Sequence, residues 1–233
     1  MVGGGSASET HRYRGGSSIM SESLTREKAL VFRIMHRDNV SWLMENGMHC
    51  RNANVSDPNF VTIGNPDLID KRHERSVPSA PFGTLSDYVP FYFTPFTPMM
   101  LNIKTGRNGV RPRPNDEIVI FVSSLPILRK HGVRFLFTDR HAYLAAAQFS
   151  SDPAMLDWID WAMLRRRDFK RDPEEPEKFE RYQAEALIYQ HLPIKAVLGI
   201  VCYNDTVEAE VQQKAAACGH TLRVLSRPGW YFK

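Results

Sequence analysis

Short apolar runs, each bounded by polar or turn-forming residues, recur along the chain and predict the strands of a sheet. Their length and their content of valine, isoleucine and phenylalanine are typical of buried strands. The predicted strands cover residues 29–34, 117–122, 133–137, 200–203 and 222–225. A sheet of buried strands is therefore the expected centre of the fold.

Helical spacing of apolar residues is clearest just after the first strand and near the C-terminus. Positions 40, 43 and 44 put apolar side chains on one face of a short helix that Asp38 or Asn39 can cap and Gly47 can end. Further helices are predicted over residues 67–75, 142–149 and 207–218. Because strands and helices mix without regular βαβ alternation, the expected fold class is α+β.

Residues 87–100, DYVPFYFTPFTPMM, break both periodicities. Prolines at positions 90, 95 and 98 exclude a regular helix and leave room for a short strand at 91–93. A stiff wall of aromatic and methionine side chains suits a flat heterocycle such as a nicotinamide or a base. The alternative is a plain core strand.

Composition narrows the class of protein. The 233 residues, 42% of them hydrophobic, are enough for one substantial core, and the net charge of +4 allows nucleic acid as a partner without demanding it. Three distant cysteines form no metal-ligand pattern, so we expect a reduced, cytoplasmic protein without a metal. No apolar run reaches the length of a membrane span.

The N-terminal residues differ in composition from the rest. Residues 1–18 are rich in glycine and serine, so we expect a disordered tail over 1–22, with Met20 as an alternative start. A single domain is expected over 23–233.

Glu185 is the strongest candidate for chemistry. It lies between Ala184 and Ala186, directly before an apolar run, so its carboxylate is expected to be buried and then paired or used. The alternative is an ordinary glutamate on a helix surface. His141 follows the strand predicted at 133–137, where polar side chains commonly enter a crevice.

Two further groups of polar residues have a functional and a structural interpretation. His36, Asp38 and Asn39 lie at a strand-to-helix junction and either contact a ligand or cap the helix. A basic stretch interleaved with tryptophans either tracks a phosphate backbone or forms a solvated helix. That stretch contains Arg165, Arg166, Arg167, Lys170 and Arg171. Residues 104–114, KTGRNGVRPRP, are predicted to form a polar turn.

Four motifs, in order, resemble one known family. They are HRDN at 36–39, DYVPFYF followed by TPM between 87 and 99, FTDRH at 137–141 and RYQAEALIY at 181–189. Together they are similar to the DarT family of DNA ADP-ribosyltransferase toxins, the enzyme halves of bacterial toxin–antitoxin pairs whose antitoxin carries a macrodomain. The likeness covers nearly the whole chain from about residue 28 to residue 232.

The resemblance implies an ADP-ribosyltransferase fold, with a split, twisted β-core that holds NAD in a cleft. It implies transfer of ADP-ribose from NAD to a base of single-stranded DNA, most often thymine, with a macrodomain antitoxin as partner. It places the catalytic glutamate at Glu185, the essential arginine at Arg72 or else Arg75, and an active-site histidine at His141. We expect a monomer.

The resemblance also assigns binding residues. Tyr92 and Met99 match the family's nicotinamide wall, and the NAD-contacting opening motif falls on His36, Asp38 and Asn39. The loop that selects the substrate falls on residues 164–179. Although FERYQAEAL has helical propensity, we expect the strand that the family has at its glutamate, because tertiary context overrides propensity.

Three hypotheses follow. The first is a DNA-base ADP-ribosyltransferase toxin acting on thymine, with guanine as the alternative base. The second is the same fold modifying RNA or protein. The third is a non-catalytic module that binds NAD or nucleic acid, and Glu185 argues against it.

Overall fold

The structure is a computed structural model that describes residues 23–233. The predicted tail at 1–22 and the alternative start at Met20 lie outside the described residues. Within residues 23–233 the chain forms a mixed α/β fold around one large sheet, which confirms the α+β class.

The described part of the chain contains ten strands. They are β1 (Leu30–His36), β2 (Met48–His49), β3 (Tyr88–Tyr92), β4 (Ile118–Ser124), β5 (Phe135–Thr138), β6 (Phe149–Ser150), β7 (Glu185–Tyr189), β8 (His191–Leu192), β9 (Gly199–Cys202) and β10 (Arg223–Ser226).

Seven α-helices that lie wholly within the described residues accompany the strands. They are α1 (Val40–Asn46), α2 (Pro66–Lys71), α3 (Pro98–Thr105), α4 (Leu125–Lys130), α5 (Trp161–Arg166), α6 (Lys178–Arg181) and α7 (Asp205–Ala217). The longest, α7, has 13 residues, and no helix in this described range is long and apolar enough to cross a membrane.

Eight of these strands form one sheet in the order β10-β9-β4-β1-β3-β7-β5-β6. The neighbours are antiparallel except for the parallel pair β9 and β10. All seven residues of β4 are buried, as the continuous apolar run at 117–122 predicts. The small antiparallel pair β2 and β8 lies outside the large sheet.

The large sheet is split between β1 and β3. β1 pairs with β4 over seven registered residues, whereas it pairs with β3 only at Phe32 and Tyr92. Pro90 explains part of this split, because a proline has no N–H to donate to a neighbouring strand. Its carbonyl accepts instead from the Arg33 side chain at 2.6 Å. A side chain thus replaces a backbone hydrogen bond where the two half-sheets diverge.

Two sequence-based predictions need correction. Residues 142–149 were expected to be helical but form turns, because the Asp139 carboxylate accepts the N–H of Gln148 at 2.9 Å and β6 then pairs with β5. The strand expected at 91–93 runs from Tyr88 to Tyr92 and tolerates Pro90 at the split. At the glutamate the expected strand is confirmed, since Glu185 begins β7.

Candidate active site

A cleft of about 440 Å³ opens where β1 and β3 diverge. Its volume is in the range of pockets that hold small ligands. Its lining combines β1, the segment 60–72, the start of α3 and single residues from the far half-sheet. A larger cavity of about 890 Å³ lies beside α4, but none of the predicted site residues lines it. The smaller cleft therefore holds the candidate chemistry.

Glu185 lies beside this cleft as the first residue of β7, opposite Tyr92 in β3. Its side chain is 1% exposed, so its charge is removed from water. One carboxylate oxygen is 3.0 Å from the Arg72 guanidinium, and the other accepts the backbone N–H of Ala142 at 3.0 Å. The Thr138 hydroxyl accepts the Glu185 N–H at 3.1 Å and fixes the start of the strand.

Arg72 reaches Glu185 because helix α2 ends at that point. The Asn65 side chain caps the helix by accepting the N–H of Leu68 at 3.1 Å, Pro66 occupies the first turn, and Arg72 forms the C-cap. Nη1 of Arg72 pairs with Glu185, whereas Nη2 is buried without a hydrogen-bond partner among the described residues. One donor of Arg72 is thus available for a ligand.

Arg75, the alternative to Arg72, has a different environment. It donates to the carbonyl of Leu144 at 2.9 Å, and it does not line the cleft. The geometry therefore brings Arg72, and not Arg75, to Glu185.

The surroundings of Glu185 keep it ionised. Burial alone raises the pKa of this carboxyl, but the Arg72 guanidinium and the Ala142 N–H, which both stabilise the ionised form, hold the pKa below its ordinary value. A buried carboxylate that stays ionised next to a cleft is typical of a functional site.

His141 and Tyr92 are the neutral neighbours of this carboxylate. Burial lowers the pKa of His141, and the nearby Glu185 only partly offsets that effect. Nδ1 of His141 accepts the N–H of Tyr143 at 3.2 Å, which leaves the proton of the neutral ring on Nε2. Burial, and then Glu185, raise the pKa of Tyr92, so its hydroxyl remains a donor.

Met99 completes the wall predicted from residues 87–100. The Tyr92 hydroxyl is 4.0 Å from the Met99 sulfur, and both residues line the cleft together with Pro90 and Pro98. The structure thus brings the predicted aromatic and methionine residues together at one site.

The opening motif separates into three environments. His36 lines the cleft with its Nε2 between Glu117 at 3.3 Å and Arg113 at 3.1 Å. Asn39 also lines it, but both ends of its amide bond the backbone of Val61, at 3.0 and 2.8 Å. The Asp38 carboxylate is 61% exposed and lies outside the cleft lining.

The side chains predicted to bind DNA are mostly engaged within the fold. Arg165 donates to the carbonyl of Leu24 at 2.9 Å, and the Arg167 guanidinium stacks 3.4 Å from the ring centre of Phe96. Arg171 lies over Phe179, which lines the cleft. Arg166 and Lys170 are exposed.

Arg33 is a cleft residue that the sequence reasoning missed. It lines the cleft, its Nε is buried without a partner among residues 23–233, and burial followed by Arg72 lowers its pKa to about 10. A single arginine inside an otherwise apolar strand was the available signal, because a buried cation needs a partner.

Comparisons with known proteins agree on one family. The family model described as "ssDNA thymidine ADP-ribosyltransferase, DarT" matches residues 32–232. A protein of Escherichia coli O127:H6 (strain E2348/69 / EPEC) named "DNA ADP-ribosyl transferase" is 52% identical over 212 residues, covering 91% of this chain and 97% of that protein.

Solved structures of a Thermus sp. 2.9 protein are similar over most of the chain. DarT "in complex with ADP-ribosylated ssDNA" superposes with a TM-score of 0.81 at 30% identity, covering 88% of this chain and 97% of that one. The same protein "in complex with NAD+" gives a TM-score of 0.76 at 30% identity, covering 88% and 98%. These neighbours confirm the expected ADP-ribosyltransferase fold.

The contact between Arg72 and Glu185 predicts how stability depends on pH. Because the folded-state pKa of Glu185 is depressed, the ionised group stabilises the fold above its unfolded pKa of about 4.3, and this contribution is lost as the pH falls through the folded pKa. Arg72→Ala leaves a buried, unpaired carboxylate, which costs about 3–5 kcal/mol of unfolding free energy at pH 7.

Urea unfolding of Arg72→Ala at pH 7 and pH 5 measures this cost. Without Arg72, burial raises the pKa of Glu185, so protonation becomes easier and the cost is expected to shrink at pH 5. Lys71→Ala, which removes an exposed cation one residue earlier, is the control. Equal costs for the two variants at both pH values contradict the assigned pair.

Proposed function

Because the chain belongs to the DarT family of DNA ADP-ribosyltransferases, we propose that it transfers ADP-ribose from NAD to a thymine base in single-stranded DNA. The observation that carries the proposal is the buried, ionised Glu185 held by Arg72 beside a cleft with unsatisfied cationic donors. The cleft volume of about 440 Å³ is large enough to hold part of NAD, and the rest of the dinucleotide would lie at the cleft opening.

Glu185 is proposed to act on the ribose that carries nicotinamide. As the bond between ribose C1 and the nicotinamide nitrogen breaks, positive charge develops on the ribose ring, and an adjacent carboxylate stabilises it. A ring nitrogen of the base then bonds to C1, nicotinamide leaves with the bonding electrons, and the nitrogen's proton passes to solvent. By accepting a hydrogen bond from a ribose hydroxyl, Glu185 also orients the sugar.

Arg72 has two tasks in this proposal. Its Nη1 keeps Glu185 ionised, since burial alone favours the protonated form. Its unpartnered Nη2 is proposed to donate to a carbonyl oxygen of the target base. A ring nitrogen flanked by carbonyls loses its proton more readily when a guanidinium stabilises the charge that spreads to those oxygens.

Arg33 is proposed to hold the diphosphate of NAD. It is a buried cation whose described neighbours leave one nitrogen without a partner, and an anionic ligand satisfies that nitrogen. Arg33 already donates to Pro90 across the split, so its position between the half-sheets is fixed before NAD binds. Such preorganisation lowers the entropic cost of binding.

Neutral side chains are proposed to position the rest of NAD. Tyr92 and Met99 pack against the nicotinamide ring, and the neutral His141 donates from Nε2 to a ribose oxygen. His36 contacts NAD from the other side of the cleft. Asn39 acts indirectly, because its amide is committed to fixing Val61 in the cleft wall.

Single-stranded DNA is the chemically reasonable acceptor. The ring nitrogen that is to attack takes part in Watson–Crick pairing in a duplex, so it must be freed first. The proposed biological setting is a toxin–antitoxin pair whose antitoxin carries a macrodomain. That setting stays a prediction of the family resemblance.

Mass spectrometry of short single-stranded oligonucleotides tests the acceptor. Each strand offers one base type in varied context and is incubated with the protein and NAD, beside a reaction without NAD. We expect an ADP-ribose mass gain on thymine-containing strands only, with release of one nicotinamide for each gain, and no gain on the matching duplex.

Other results would assign a different acceptor or a different function. A gain on guanine-containing strands alone replaces thymine with guanine as the substrate. Consumption of NAD without a gain on any DNA strand contradicts the proposed function and directs the search to RNA, protein or water. Absence of both reactions favours a binding module.

Arg33→Gln tests the diphosphate assignment. Glutamine keeps an amide donor on a shorter side chain but removes the charge, so the KM for NAD is expected to rise about tenfold to hundredfold, the equivalent of one charge-assisted hydrogen bond. The unfolding free energy is expected to change little, because a buried cation without a carboxylate partner contributes little stability. An unchanged KM for NAD together with a large loss of stability contradicts a ligand-binding role.

A further inference from the structure

The loop expected to bind DNA has little charge to offer a phosphate backbone. Residues 164–179 contain six basic and five acidic side chains. Lys178 is buried and pairs with Asp168 at 2.7 Å, and the exposed Arg171 is 3.8 Å from Glu180. With Arg165 bonded to Leu24 and Arg167 stacked on Phe96, most cations of this loop are engaged within the fold.

A second loop at the same cleft has the opposite character. Residues 104–113 join α3 to the approach to β4 and contain Lys104, Arg107, Arg111 and Arg113 with no acidic residue. Of these four, only Arg113 has an ion pair within the described part of the chain, with Glu117 at 2.9 Å. Arg107 and Arg111 are exposed.

This loop is part of the cleft wall. Asn108 and Val110 line the same cleft as Arg72. They lie directly next to Arg107 and Arg111 in the sequence. The loop therefore borders the cleft to which the proposed function assigns the target base. Of the loop 164–179, Phe179 is the residue that lines the cleft.

Hydrogen bonds hold the loop 104–113 in one conformation. The Asn65 side chain, which caps α2, also donates to the carbonyl of Asn108 at 2.9 Å. The N–H of Arg113 donates to the carbonyl of Ile103 at 2.9 Å and closes the base of the loop. Asn108 has a positive φ of 55°, a conformation that asparagine tolerates better than most residues. The same asparagine cap thus connects this loop to the helix that presents Arg72.

We propose that the loop 104–113 is a binding site for the phosphodiester backbone of single-stranded DNA, with Arg107 and Arg111 contacting phosphates beside the target nucleotide. The proposal rests on the proposed function, because it assumes that a DNA strand enters this cleft. Phosphate contacts fix the register of a strand while leaving the choice of base to the cleft. The loop 164–179 then contributes chiefly shape and the Phe179 surface.

Unpaired, exposed arginines are suited to this task. A cation without a carboxylate partner loses no ion pair when it binds a phosphate, and each contact releases counterions from the strand. The contact is sequence-independent, so the affinity depends on salt concentration more than on base composition.

The test compares two double variants that remove the same charge. Arg107→Gln with Arg111→Gln alters the loop. Lys195→Gln with Arg223→Gln alters one exposed cation in the short segment before β9 and one in β10, the strand at the edge of the sheet away from the split. Binding of a fluorescently labelled oligothymidylate is measured without NAD by anisotropy at several salt concentrations. The KM values for NAD and for the oligonucleotide are measured in parallel.

The loop variant is expected to bind the oligonucleotide about tenfold more weakly at low salt, with the slope of log affinity against log salt reduced in magnitude by about 1.4 for two lost phosphate contacts. Its KM for NAD is expected to match the wild type. Arg107→Lys with Arg111→Lys is expected to restore most of the binding, because a phosphate accepts a point charge. The control pair is expected to behave like the wild type.

Three results overturn the proposal. An unchanged salt slope in the loop variant excludes phosphate contacts, and an equal loss in the control pair attributes the effect to net charge. A raised KM for NAD with unchanged DNA binding assigns the loop to the dinucleotide instead. If the wild type modifies single-stranded DNA while the loop variant binds DNA normally, the loop is not the phosphate site and the proposed function stands. If the wild type modifies no DNA, the proposed function itself is contradicted, whatever the loop variant binds.

Discussion

The burial of one carboxylate constrains the rest of this structure. Glu185 is almost completely removed from water, and an isolated charge there costs several kcal/mol. Arg72 and the Ala142 N–H compensate that cost. To supply them, helix α2 ends at Arg72, and the chain after β5 turns back so that the Ala142 N–H meets the carboxylate. Two segments that surround the Glu185 carboxylate, the end of α2 and the turn after β5, are therefore positioned by their contacts with this one charge.

The split in the sheet supplies the space that this charge requires. β1 and β3 share one registered pair, and beyond it Pro90 has no N–H to donate while its carbonyl accepts from Arg33. The result is a cleft with two guanidiniums and one carboxylate close together, an excess of positive charge that a compact fold does not need for stability. In the proposed function, the anionic diphosphate of NAD compensates this buried positive charge.

Much of this arrangement could be predicted from local patterns. The central strands follow from their apolar runs, and Glu185, His141 and Tyr92 follow from motifs whose order matches one family. Contacts between residues that are far apart in the sequence were harder to predict. The contact between Asp139 and Gln148 and the pairing of β5 with β6 replace a helix that the alanine content favours. The loop 164–179 uses several of its cations internally, because acidic residues and aromatic rings of the fold contact them. Arg33 was overlooked because one cation does not disturb an apolar strand pattern.

In the proposed function Glu185 acts on the reacting ribose and is not needed merely to hold NAD. The most direct measurement is the single-turnover rate of ADP-ribose transfer to an oligothymidylate by Glu185→Gln, alongside its dissociation constant for NAD, with the exposed Glu174→Gln as control. The account predicts a rate at least about a thousandfold lower, with NAD bound within a few-fold of the wild type and the fold intact by circular dichroism. A wild-type rate in Glu185→Gln, or a loss explained entirely by weaker NAD binding, would contradict it.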